Sequence, residues 1–214
     1  MLSYELLKNH AGLLIVGDYT TLKLLHAILH DVHDRSPMIS GIEDQFLCLA
    51  YDVRKAYEGQ RKILKPKPPN YEGYGVRYGF QIIWPRILFE QRMLRKALGY
   101  MDHSRGHQAI TYELEAVIEV GLREAFGPQS EHLEALWQRL DPNPTTSKEL
   151  YSRSAIFCSW TKAERKLRLA ELLNSLDLLY EFTHERRVRN GERGLLSPDD
   201  FAYWEDRDCP EPRW

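Results

Sequence analysis

The chain has 214 residues, 43% of them hydrophobic and 28% charged, and a formal net charge of only −2. This is globular composition with enough chain for a substantial core, and it excludes an overall field strong enough to draw the molecule to nucleic acid or a membrane surface. The three cysteines, Cys48, Cys158 and Cys209, are odd in number and form no C-x-x-C pair, which favours thiols in a reducing compartment over a disulfide frame.

Along the chain, Leu2 to Val16 reads as two short strands joined by a turn at Asn9-His10-Ala11-Gly12. Gly17-Asp18 breaks the second strand, and Asp18, Thr20 or Thr21 caps a helix running to about Asp34. Its apolar stripe is Leu22, Leu25, Ile28, Leu29 and Val32. The spacing of Ile42, Phe46, Leu49, Val53 and Tyr57 predicts a second helix, ended by Gly59. A basic, proline-rich connector follows and is expected to be extended and exposed. Tyr74 to Ile83 is the best strand pattern: Tyr74, Val76, Tyr78, Phe80 and Ile82 alternate with Gly75, Arg77, Gly79 and Gln81. Pro85 suits the first turn of a helix from Arg86 to Leu98, stopped by Gly99.

Beyond the polar stretch 102–107 the pattern is helical to near the end. Ile110, Leu114, Val117, Ile118, Leu122 and Phe126 form a stripe, and Gly127-Pro128 is a stop. Ser130 caps a short helix through Leu140. Thr146 with Glu149, and Thr161 with Glu164, match the capping box. The second box opens a Leu-rich helix to about Arg189, ended by Gly191 and Gly194, and Ser197-Pro198-Asp199-Asp200 starts another. The expected fold is therefore α+β: a small sheet of short strands packed with helices in residues 1–100, an all-helical extension over 101–190, and an acidic, aromatic tail over 191–214.

Three histidines lie within eight residues, in the stretch HAILHDVHD. On a helix, His26, His30 and His33 fall together beside the apolar stripe, where imidazoles could share one ion and support a metal-dependent hydrolase. Histidines on a half-wet helix flank are the simpler account. His103 and His107 could add ligands from elsewhere, but Gly106 between them argues against a helix there. No phosphate loop of the G-x-x-x-x-G-K-S/T or G-x-G-x-x-G type and no G-x-S-x-G elbow occurs, and no cofactor is indicated. Cys48 reads as a small core residue, and Glu43, Asp44 and Asp52 as a solvated face.

Between Val53 and Gly99 there are eleven Lys and Arg against three Glu, interleaved with tyrosines. Arg61, Lys62, Lys65, Lys67 and Arg77 are the candidates for phosphate contact in a nucleic-acid accessory role. In the tail, Phe201, Tyr203, Trp204 and Trp214 lie among acidic residues. Such a segment suits docking, either back on the basic front half or onto a neighbouring chain.

Gly17-Asp18-Tyr19 before a helix, then Tyr51-Asp52-Val53-Arg54 with Gly59, then a strand into Trp84-Pro85, resembles an uncharacterised bacterial domain-of-unknown-function family over about the first hundred residues. The resemblance implies no catalytic residue. No apolar run reaches the length of a bilayer, and MLSYELLKNH lacks the plan of a signal peptide. The expectation is a cytoplasmic, non-catalytic interaction protein with a protein partner or a second copy of itself, without membrane contact.

Overall fold

A computed structural model describes residues 1–39, 45–65, 75–205, 207–212 and 214. Four strands form an antiparallel sheet in the order β1-β2-β4-β3. They are β1 (Ser3–Leu6), β2 (Gly12–Asp18), β3 (Lys62–Leu64) and β4 (Arg77–Ile83). Nine helices are described: α1 (Tyr19–Arg35), α2 (Gln45–Tyr57), α3 (Trp84–Leu98), α4 (Arg105–Phe126), α5 (Ser130–Arg139), α6 (Pro144–Ser159), α7 (Lys162–Asn174), α8 (Tyr180–Arg189) and α9 (Pro198–Glu205). This is the α+β arrangement that the patterns predict.

The centre of the sheet is the β2–β4 ladder, in register from Gly12 opposite Ile83 to Asp18 opposite Arg77. Gly12 is required there: a Cβ at this position would sit 2.0 Å from the Ile82 carbonyl oxygen. Strand β2 runs on through Gly17 to Asp18 instead of breaking at them. Asp18 also caps α1, accepting the Thr21 N–H at 2.9 Å. The stripe of α1 is buried as its spacing requires.

Helix α3 is the spine. It follows β4 without a loop, has Pro85 in its first turn, and buries residues on every side, including Trp84, Ile87, Leu88, Phe89, Met93 and Leu94. A helix covered all round lies inside the molecule. On one side it meets the sheet and α1, and on the other α5, α6 and α7. Helix α4 lies along β1, and Gly121 lets it approach Leu13 of β2. One buried cluster therefore runs from Leu2 through Trp84, Phe126 and Phe157 to Phe201.

Four expectations are corrected. The connector after Gly59 carries a strand, β3, paired to β4 through Ile63 opposite Tyr78. Three edge residues flanked by charge give too short a pattern to read. Helix α4 begins at Arg105 despite Gly106, because Ser104 and His107 cap it reciprocally. Helix α6 begins before Thr146, with Asn143 Oδ1 accepting the Thr146 N–H at 3.2 Å. The helix expected from Thr161 to Arg189 is two, α7 and α8, parted at 175–179, where the Ser175 hydroxyl turns back to the Leu172 carbonyl at 2.7 Å. The Thr161–Glu164 box itself is present. Ile42, Glu43, Asp44, Tyr74 and the prolines 66, 68 and 69 lie outside the described residues.

Candidate functional site

A cleft of about 740 Å³ opens where the sheet half meets the rear helices. Its walls come from four elements and from Arg61, Cys209, Glu211, Pro212 and Trp214. Helix α2 gives Cys48 and Asp52, one turn apart. Strand β4 gives Gln81 to Ile83, α3 gives Arg86 and Glu90, and α6 gives Tyr151, Ser154 and Cys158.

Charge runs through the cleft as a chain of contacts. Arg61 Nη2 lies 3.2 Å from Asp52 Oδ1, Arg86 Nη1 lies 3.4 Å from Asp52 Oδ2, and Arg86 Nε lies 3.0 Å from Glu90 Oε1. Glu90 projects from the spine helix and its side chain is 2% exposed. Burial pushes its carboxyl up to about 7, against the pull of the Arg86 guanidinium. Burial alone would lower Arg86; Glu90 and Asp52 overcome it and hold that cation firmly protonated. Arg86 Nη2, Glu90 Oε2 and Ser154 Oγ are buried and have no hydrogen-bond partner among the described residues. Such groups are costly, on the order of 1–3 kcal/mol each.

The tail forms one wall of this cleft. The Tyr151 hydroxyl donates to the Arg207 carbonyl at 3.1 Å and accepts the Cys209 N–H at 2.9 Å. One side chain thus holds the main chain of the tail at two places. A matching clip stands upstream, where the Tyr180 hydroxyl donates to the Leu196 carbonyl and accepts the Leu196 N–H. Between the clips, α9 is anchored by Phe201, over which the buried Arg153 guanidinium stacks at 3.6 Å. Arg153 also bonds to Glu181 at 2.9 Å. Cys209, Glu211, Pro212 and Trp214 then line the cleft beside Arg61 and Arg86. The tail packs on α6 of the rear half and lines the cleft opposite the front-half residues Arg61 and Arg86.

Arg61 lines the cleft, and the other described residues singled out from the sequence as metal or nucleic-acid candidates lie elsewhere. His26 and His30 bring their Nε2 atoms to 3.1 Å, one donating and the other accepting, and Tyr57 Oη stands 3.5 Å from His26 Nδ1. Burial and the neighbouring His30 lower the His26 pKa. His33 turns instead to Asp34, at 3.1 Å. His107 bonds to Asp31 at 2.9 Å, and His103 to the Met101 carbonyl at 2.9 Å. Among the described residues no three His, Cys, Asp or Glu side chains are grouped to hold a metal ion.

Much of the basic surplus is bonded internally. Arg61 pairs with Asp52. Arg77 donates to the carbonyls of Met1 at 2.7 Å and Val16 at 3.2 Å, pinning the sheet end. Lys62 lies exposed on β3, Lys65 is exposed just beyond it, and Lys67 is outside the described residues. Arg95 stacks on Tyr112 at 4.0 Å, and Lys96 pairs with Asp141.

Sequence reasoning placed Asp52 on a solvated face and Cys48 in the core, whereas both front the cleft and Cys48 is exposed. Arg86, Glu90, Tyr151, Cys158 and Cys209 carried no site assignment. No local signal marked Glu90, because Arg86, Gln91, Arg92, Arg95 and Lys96 in the same stretch make it read as an ordinary half-wet helix.

The fold and the cleft define an α+β protein with a cleft, walled in part by its own C-terminal segment, that carries buried charge on an otherwise largely apolar surface. The chain belongs to the family described as Domain of unknown function (DUF6904), which matches residues 2–181. The match therefore continues well past the first hundred residues and takes in α3, α6 and every cleft residue except those of the tail. No curated protein and no solved structure matches the chain. Among the described residues no helix is long and apolar enough to cross a membrane.

Proposed function

We propose that this protein is a cytoplasmic protein-interaction module that works by binding rather than turnover. An extended, acidic-aromatic peptide segment of a partner takes the seat on Tyr151 along the cleft wall, and its own tail holds that seat until the partner arrives. The observation that carries this is the pair of hydrogen bonds at the Tyr151 hydroxyl, donated to the Arg207 carbonyl and accepted from the Cys209 N–H. Recognition through main-chain groups is indifferent to side-chain identity, so it extends to another chain of similar shape. Specificity then comes from the cleft wall, where Arg61 and Arg86 suit acidic side chains such as Glu211 and the apolar rim suits proline or tryptophan.

A tethered tail acts at an effective concentration of about millimolar, so it competes with a partner without needing high intrinsic affinity. The test is fluorescence polarisation with a labelled peptide of residues 207–214 carrying serine in place of Cys209. A chain ending at Glu205 should bind it saturably, and the full chain about tenfold more weakly or worse. Cys209→Pro in the full chain removes the N–H that the tail gives to Tyr151 and leaves the cleft intact, so it should raise peptide affinity. Absence of saturable binding by both altered chains would overturn the proposal. Binding that appears only as concentration-dependent dimers would assign the tail to exchange between copies instead.

A further inference from the structure

Two of the three cysteines meet across the cleft. Cys158 is buried on α6, and Cys209 is half-buried on the tail. Both sulfurs front the same cleft and are near enough to interact, while the Cys209 thiol donates to the Pro210 carbonyl at 3.6 Å. Tyr151, on the same helix as Cys158, fixes the backbone of Cys209 through its N–H at 2.9 Å. A disulfide needs the two sulfurs to close to roughly 2.05 Å, which rotation of the Cys209 side chain about a fixed backbone can bring about. Arg86 lies in the same cleft, and its positive charge acts on both sulfurs.

We propose that Cys158 and Cys209 are a peroxide-oxidisable pair whose disulfide fastens the tail into the cleft. The two sulfurs have different roles. The neighbouring Cys158 thiol draws the Cys209 pKa down, against burial and with help from Arg86. Cys209 and burial push Cys158 up. Cys209, the more exposed, is therefore the nucleophile, and Cys158 resolves.

The Cys209 thiolate attacks one oxygen of hydrogen peroxide. The S–O bond forms, the O–O bond breaks, and hydroxide leaves to take up a proton as water. The sulfenic acid on Cys209 is then attacked by the Cys158 sulfur. The S–S bond forms, the S–O bond breaks, and the departing hydroxide takes the Cys158 proton as a second water. Both sulfurs are oxidised by one electron each and the peroxide is reduced by two. A small dithiol reverses the step by exchange.

The inference rests on the peptide-cleft reading only for its consequence, which is that oxidation shuts the cleft to partners. The experiment treats the full chain with hydrogen peroxide, removes the excess, alkylates it with a maleimide in denaturant so that buried Cys158 is reached, and reads its intact mass and peptide map. Three cysteines are present, so the reduced chain takes three labels. The oxidised chain should take one, on Cys48, should have lost two hydrogens, and should yield a peptide joining Cys158 to Cys209. Dithiothreitol should restore all three labels.

Under the same treatment Cys209→Ser should keep two labels, whereas Cys158→Ser should keep one and gain oxygen on Cys209, and neither should form a bridge within the chain. The oxidised chain should bind the labelled tail peptide about tenfold more weakly than the reduced chain. Three labels after peroxide, a bridge between another pair, or sulfinic acid on Cys209 without a bridge would overturn the disulfide and leave tail displacement untouched. A Cys158–Cys209 bridge with unchanged peptide affinity would overturn its role as a fastener.

Discussion

Glu90 is the residue on which the electrostatics of the cleft turns. It is fully buried on the spine helix and bonded to Arg86 through one oxygen, while its other oxygen lacks a partner among the described residues. Its folded pKa of about 7 stands above the ordinary 4.5, so between those values the folded chain holds a proton that the unfolded chain has released. Stability from this group is complete below pH 4.5, declines as pH rises to about 7, and is constant above. The loss is on the order of 3 kcal/mol. Denaturant melts of the native chain and Glu90→Gln from pH 4 to 8 should therefore diverge across that window, with the native chain falling relative to the variant. Parallel curves would contradict the assignment. Little of this was legible in the sequence: Arg86 and Glu90 looked like ordinary helix charges, because four-residue spacing does not say whether a helix lies at the surface or inside. Asp52 and Cys48 were misplaced for the same reason, since the cleft they face is built by α6 and the tail, about a hundred residues further on.

At the scale of elements, most of the secondary structure could be read where a buried stripe imposes its period, as with Leu22 to Val32 in α1 or Phe80 and Ile82 in β4. It failed where an end is decided by a few polar atoms: the reciprocal cap of Ser104 and His107, the Asn143 cap of α6, and the Ser175 turn that parts α7 from α8. The same reasoning makes Gly12 the most exacting position in the sheet. Its missing Cβ is what lets β2 lie against Ile82, with a clearance of 2.0 Å to the carbonyl oxygen. Gly12→Ala should force the end of the β2–β4 ladder apart and cost on the order of 3 kcal/mol in a denaturant melt. A loss within about 0.5 kcal/mol, as for an ordinary surface substitution, would show that the strands are not so closely apposed.

Across the whole molecule, the sheet and the rear helices share one buried cluster, and the cleft forms where they join. The tail returns to that join, held by two tyrosine hydroxyls on α6 and α8 and by the stacking of Arg153 on Phe201. The acidic-aromatic character of the tail was legible in the sequence, but its docking position was not, because pairing between segments distant in the chain leaves no local pattern. Hydrogen exchange at the Cys209 amide, which donates to Tyr151 at 2.9 Å, tests the seating of the tail most directly. The account predicts that this amide is protected in the full chain, exchanges freely in Tyr151→Phe, and loses protection as peptide 207–214 is added in trans. Exchange at the unfolded rate in the full chain, or protection that excess peptide leaves unchanged, would contradict it.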